Sequence, residues 1–220
     1  MRHRKIHGVD QRLRSMEEYL IRPQINEILN PKLAFDNENE IFEMEIGIGK
    51  GKFITTMASL YPERNFIGIE LRDQIILRAV EKASSMNLKN VRFLTGNALE
   101  LSEYFVKDSF DKIYLNFSDP WPKERHSKRR LTSKIFLESY KRILKPIGKI
   151  QFKTDNLELF EFTLNEIAML DLKFDNIKLD LHADENIKDN ITTEYEERFL
   201  GLGKKIMRVV FSFREENNEK

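Results

Sequence analysis

Residues 41–53 read "IFEMEIGIGKGKF", an apolar run that breaks at three alternating glycines and resumes in a helix-like pattern. Ile41 to Ile46 predicts a strand and Lys52 to Leu60 a helix, so a glycine turn joins the two. The alternation continues outward. Asn65 to Glu70 ("NFIGIE") predicts a second strand, and Ile75, Ile76, Ala79, Val80 and Ala83 form an apolar stripe at helical spacing. A short strand "VRFL" from Val91, a brief helix after Asn97 and the strand "KIYLNF" from Lys112 follow. A helix from about Thr132 to Leu144 would bury Phe136, Tyr140, Ile143 and Leu144, and the strand "KIQFKT" from Lys149 leads to a helix around Leu157 to Met169. Such a βαβ series predicts an α/β protein with a mostly parallel sheet and helices on both faces.

The two ends of the chain read differently. Ile177, Leu179 and Leu181 alternate with polar residues, as do Met207, Val209, Phe211 and Phe213, which predicts two neighbouring strands. The segment between them, "HADENIKDNITTEYEERFLGLGKK", is too long for a routine turn. Residues 1–40 are expected as a basic N-terminal arm with a short helix, and residues 215–220 as a frayed tail.

Composition excludes whole classes of chemistry. With no cysteine among 220 residues there is no disulfide, no thiolate-ligated metal and no cysteine nucleophile. His3, His7, His126 and His182 show no metal-ligand spacing, so no metal is expected. No apolar run is long enough to cross a membrane, and no apolar signal core follows the basic start, so the expected address is cytoplasmic. The formal net charge is +1, yet Lys123 to Arg130 alone carries five basic residues against Glu124. That run sums to +4 and leaves −3 for the rest, so the positive field is concentrated.

Gly47, Gly49 and Gly51 let the backbone turn tightly and approach a ligand at a helix N-terminus. A dinucleotide loop would want G-x-G-x-x-G, but Lys52 occupies its third glycine. G-x-G-x-G suits a cofactor without a pyrophosphate, such as S-adenosylmethionine. Glu70, ending the second strand, can accept hydrogen bonds from both ribose hydroxyls, and Asn97, after the third, can meet an adenine edge. The plainer alternatives are a surface glutamate and a helix cap. Farther on, Asn116 to Leu131 reads "NFSDPWPKERHSKRRL", with a carboxylate, a tryptophan between two prolines and the basic run within a few residues. A solvated basic turn is the alternative, but a position after an apparent strand end borders a candidate site.

Together, "EIGIGKGKF", "FIGIE", "LNFSDPWPKERHSKRRL", "FKTDN" and "TEYEERFLGLG" span nearly the whole chain from Glu45 onward and resemble the bacterial tRNA (guanine-N7)-methyltransferases, which act on guanosine 46 of the tRNA variable loop. The resemblance implies a Rossmann-like class I methyltransferase domain over residues 41–214, with a seven-stranded sheet whose last strand is antiparallel. It implies that Glu45, Glu70, Asn97 and Asp119 contact S-adenosylmethionine beside the three glycines. It further implies that Lys123, Asp155 and Thr193, Glu194, Tyr195 and Glu196 meet the tRNA, with Arg125, His126, Ser127, Lys128, Arg129 and Arg130 along its backbone. Monomer and homodimer both fit.

Guanine N7 is an exposed lone pair that can attack a sulfonium methyl in line without a general base, so positioning outweighs proton transfer. A fixed carboxylate at Asp119 would favour the charge that develops on the ring and could accept from guanine N1–H and the amino group. Trp121 either stacks on a flipped base or anchors the loop. Asp155 either lines the pocket rim or caps the next helix, and Tyr195 and Glu196 either belong to a lid or are an ordinary core aromatic and a surface charge. Two rival functions stand beside this one. "SDPW" is similar to the D/N-P-P-Y/W motif of exocyclic-amine methyltransferases, although Trp121 takes the place of the second proline. A non-catalytic RNA-binding module on the same fold is the other.

Overall fold

The computed structural model describes residues 8–23, 28–183 and 190–214. The frayed tail expected over residues 215–220, His3 and His7 lie outside them. Seven strands form one sheet: β1 (Phe42–Ile46), β2 (Asn65–Glu70), β3 (Val91–Thr95), β4 (Phe110–Asn116), β5 (Leu144–Thr154), β6 (Lys173–Lys178) and β7 (Met207–Ser212). Their order is β3-β2-β1-β4-β5-β7-β6, and β7 runs antiparallel to both neighbours, as the resemblance implied. The remaining pairs are parallel, from Phe42 opposite Asn65 to Asn116 opposite Lys153. Because the order reverses between β1 and β4, the crevice at the carboxyl ends of those strands is the expected ligand site.

The helices are α1 (Val9–Arg14), α2 (Lys52–Leu60), α3 (Asp73–Ser85), α4 (Leu101–Tyr104), α5 (Lys134–Ile143), α6 (Leu157–Met169) and α7 (Glu194–Leu200). None is long and apolar enough to cross a membrane, among the described residues. Periodicity explains the main ones. In α3, Ile76, Ala79, Val80 and Ala83 are fully buried against the sheet, and α5 does the same with Leu137, Tyr140 and Ile143. Asn156 starts α6 by accepting the Leu159 N–H at 2.7 Å, so Asp155 is not its cap.

Two expectations need correction. β5 begins at Leu144, not Lys149, because α5 runs straight into it; Pro146 and Gly148 lie where the register with β4 shifts, which hides the periodicity. β6 stops at Lys178, and Ile177 and Leu179 are exposed on the sheet edge, leaving only Leu181 buried through its N–H bond to the Ile206 carbonyl at 2.7 Å. The long late segment contains α7, opened by a capping box in which Thr193 and Glu196 each bond the other's backbone N–H.

The described part of residues 1–40 does contain the short helix α1. It lies against the domain: Val9, Leu13, Tyr19, Ile21 and Phe35 are buried, and the Ile21 N–H donates to the Phe93 carbonyl at 2.8 Å. A further bridge joins Leu29 to Phe105.

Candidate active site

Glu45 sits near the end of β1, only 3% exposed, and accepts the Asn116 side-chain N–H from β4 at 2.9 Å. Its second oxygen has no partner, and neither do the buried Asn116 Oδ1 and Ser118 Oγ. Unpaired buried polar atoms are costly and call for a ligand. Burial pushes the Glu45 carboxyl up to about 8, against the Asn116 hydrogen bond and the positive charge of Lys153. A cation arriving in this crevice would reverse that shift.

The turn above Glu45 is built by left-handed backbone, with φ of 76° at Gly47, 54° at Gly49 and 79° at Gly51. The last two glycines serve different ends. A Cβ at Gly51 would lie 2.5 Å from Ala79 Cβ and 2.9 Å from Ala79 Cα, whereas one at Gly49 would meet nothing within 4 Å. Gly51 thus lets α2 pack on α3, and Gly49 faces open space on the ligand side. Gly51→Ala is therefore expected to lower the melting temperature of the free protein severely. Gly49→Val should cost about 1–2 kcal/mol in backbone strain yet fold, and lose cofactor binding. Calorimetry on the folded Gly49 variant checks this, and wild-type affinity would remove the loop from the site.

Glu70 ends β2 beside this loop and accepts the Leu71 N–H at 2.9 Å. Its carboxyl is raised by burial, against hydrogen bonds from the Leu71, Gly49 and Arg72 N–H groups and the Arg72 charge. It is thus no free surface glutamate. Asn97 follows β3, accepts the Leu99 N–H at 3.1 Å and donates to Glu100 at 3.2 Å. It shapes a turn, while Glu100 takes the cap position of α4.

The loop after β4 carries strain. Phe117 (φ 51°) and Trp121 (φ 42°) adopt left-handed backbone that costs an aromatic residue about 1–3 kcal/mol. The loop is held by Arg130, whose guanidinium donates to the carbonyls of Pro120 at 3.1 Å and Trp121 at 3.2 Å and lies 4.3 Å from the Phe162 ring centroid. Arg130, 7% exposed, is spent as a brace of this loop. Trp121 is half-buried; the Arg129 guanidinium lies 4.9 Å from its ring centroid and His126 packs edge-on at 5.7 Å. The ring thus belongs to the loop's own framework. Asp119 is exposed, and its carboxylate makes no ion pair among the described residues. Lys123, Arg125 and Lys128 are exposed around the 3-10 turn Glu124–Arg129, and Ser127 and His126 are partly covered.

The tRNA-side acids expected from the sequence are all paired with lysines. Asp155 accepts from Lys204 at 2.6 Å and Glu194 from Lys82 at 3.1 Å. Glu196 is fully buried against Lys153 at 2.8 Å, neither a surface charge nor a carboxylate open to solvent. Thr193 is buried as the α7 cap, and Tyr195 is 50% exposed, so it is not a core aromatic. The expected residues therefore divide: Glu45, the glycines, Glu70, Asn97 and Asp119 stand at the carboxyl ends of β1 to β4, while α7 is fastened from the side. Lys153, Asn116 and Ser118 were missed; a lysine inside the central strand "KIQFKT" was the available signal, since a buried charge requires a partner.

A seven-stranded sheet of this order, with a glycine loop, an acid ending the second strand and unpartnered acceptors beside the first, has the Rossmann-like architecture of class I methyltransferases. A family model described as "Putative methyltransferase" matches residues 39–209. A protein of Clostridioides difficile (strain 630) named "tRNA (guanine-N(7)-)-methyltransferase" is 47% identical over 209 residues, 94% of this chain and 97% of its own. The chain belongs to the tRNA (guanine-N7-)-methyltransferase family. Among solved structures it is similar to the 16S rRNA methyltransferase KamB, with a TM-score of 0.63 and 12% identity over 86% of this chain and 95% of that one. The [4+2]-cyclase SpnF is also similar, with a TM-score of 0.58 and 13% identity over 83% and 78% of the two chains. A fold that serves a cyclase too carries no reaction by itself.

Proposed function

We propose that this protein transfers the methyl group of S-adenosylmethionine to N7 of guanosine 46 in the variable loop of tRNA, in the cytoplasm. The observation that carries the reading is the coincidence, in a chain 47% identical to a protein named for guanine-N7 methylation of tRNA, of unpartnered buried acceptors on the bonded pair Glu45 and Asn116 and on Ser118 two residues further on with an exposed carboxylate at Asp119. An ammonium has three N–H donors and no acceptor, which suits three buried atoms that lack partners. Glu45 would hold that end, the glycine loop the main chain beside it, and Glu70 the ribose.

Bound S-adenosylmethionine supplies an electrophilic methyl on a cationic sulfur. The N7 lone pair forms the new N–C bond as the C–S bond breaks, no proton leaves, and the purine gains a positive charge. Asp119 faces that charge, which is larger in the transition state than in the ground state, and so lowers the barrier. Transfer RNA carrying 7-deazaguanosine at the target position should bind nearly normally and receive no methyl, because its donors and shape survive while the lone pair is gone. Methylation of the deaza substrate, read by nucleoside mass spectrometry, would favour exocyclic-amine chemistry. Failure to bind S-adenosylmethionine in calorimetry would favour a non-catalytic RNA-binding module.

The basic turn supplies attraction. Lys128→Ala combined with Arg125→Ala should weaken tRNA binding and lower its salt slope by about 0.7–0.9 for each phosphate no longer neutralised, with the methylated position unchanged. Binding measured across a salt series tests it, and an unchanged slope would remove these two side chains from the RNA interface.

A further inference from the structure

Three lysines from three elements hold α7 by its acids: Lys52 of α2 on Glu197, Lys82 of α3 on Glu194 and Lys153 of β5 on Glu196. The first two pairs are partly exposed and screened, and such pairs contribute little. The third has no exposure on either side. Its ammonium donates to Glu196 Oε2 at 2.8 Å, the Ile191 carbonyl at 3.0 Å and Asn190 Oδ1 at 3.1 Å, which uses all three protons.

Glu196 is equally saturated. Oε2 takes Lys153 and, at 3.4 Å, the Thr193 N–H; Oε1 takes the Asn190 amide at 2.6 Å and His182 Nε2 at 2.8 Å. A carboxylate has about four lone-pair sites, so none remains for an RNA donor. Burial opposes its ionisation, but Lys153, Asn190 and His182 outweigh burial and hold the carboxyl below its ordinary range.

On its other side Lys153 belongs to the cofactor crevice. It stands opposite Asn116 in register, the residue that grips Glu45, and its ammonium is 5.4 Å from the ring centroid of Phe53 in α2. Glu45 and Lys153 are close enough to shift one another's ionisation. One buried cation thus lies between the carboxylate that awaits the cofactor's ammonium and the carboxylate that fastens α7.

We propose that Lys153 is a positioning residue that couples the cofactor crevice to α7, and that Glu196 acts on tRNA only through Lys153 and the placement of this helix. The inference rests on the proposed reading of α7 as the tRNA side of the site. With Glu196 in place, Lys153 is held toward α7 and Glu45 stays open to the cofactor. Without that partner, Glu45 is the other acid whose charge acts on Lys153, and Lys153 competes with the cofactor for it.

The test is a double-mutant cycle of Glu196→Gln, Lys153→Met and the pair together, read by calorimetric affinity for S-adenosylmethionine and by the KM for tRNA. Glu196→Gln should weaken cofactor affinity about tenfold, within the usual range for coupled sites. Lys153→Met should leave cofactor affinity at or above wild type and raise the tRNA KM, because α7 loses its anchor. The double variant removes both charges and folds even if a single variant does not, since replacing a buried pair by neutral groups is commonly tolerated. It should regain wild-type cofactor affinity, so the two effects are not additive. A merely structural pair predicts cofactor losses of the same sign in both single variants, and a direct RNA contact predicts an undiminished Glu196→Gln effect on tRNA KM in the Lys153→Met background. Either result overturns the inference. Failure of the wild type to methylate guanine N7 would instead overturn the proposed function, and the cofactor arm of the cycle does not depend on that outcome.

Discussion

Asp119→Asn is expected to lower turnover by about 10²–10³, the loss seen when one preorganised electrostatic stabiliser is removed. The substitution keeps the size of the side chain and much of its hydrogen bonding but removes the charge proposed to face the methylated purine. Because Asp119 is exposed and outside any ion pair among the described residues, the change should leave stability nearly unaltered. Single-turnover rates with saturating tRNA check it. Cofactor affinity should change less than turnover, and a variant with near-normal turnover would remove Asp119 from catalysis.

The second large effect falls on Glu45. Glu45→Gln retains the bond to Asn116 but offers a neutral group to a cationic ligand, and loss of one partner of a buried charge pair costs about 2–5 kcal/mol. Cofactor affinity should fall by at least about thirtyfold. The wild-type affinity should also rise with pH up to about 8, the value to which burial lifts this carboxyl in the free protein, because only the carboxylate attracts an ammonium. That rise should vanish in the glutamine variant. The linkage to stability has the opposite sign: a carboxyl raised on folding contributes stability below its ordinary value of 4.5, which is lost as pH rises through about 8. The free protein should therefore gain melting temperature from Glu45→Gln at pH 8 and bind its cofactor worse, a pairing that separates the charge from its packing. An unchanged affinity would place the cofactor's ammonium elsewhere.

The sheet and cofactor end were legible because their signals are local. The α2, β2 and α6 boundaries read from periodicity agree with the structure, and the glycine turn lies where the spacing put it. The misses have different origins. A register shift around Pro146 and an exposed edge at Ile177 remove the periodicity on which strand reading depends. The lysine partners of the α7 acids were not legible because "TEYEE" looks solvated as a string. Only the tertiary arrangement brings Lys82 and Lys153 to Glu194 and Glu196, across 112 and 43 residues of chain. Likewise Arg130 is indistinguishable in sequence from the arginine before it, yet one braces the backbone and the other covers an indole.

That contrast divides the labour within one short segment. Phe117, Trp121, Arg129 and Arg130 define the shape of the loop, while Asp119, Lys123, Arg125 and Lys128 point outward between them. Scaffold and chemistry are interleaved along the chain but meet different surroundings. Outward positions can drift toward another nucleotide or another RNA without unmaking the loop, whereas the framework positions stay fixed by the contacts they make with each other. The segment is in this sense a socket whose lettering can be rewritten, and changes of substrate within the fold have a small set of places in which to begin.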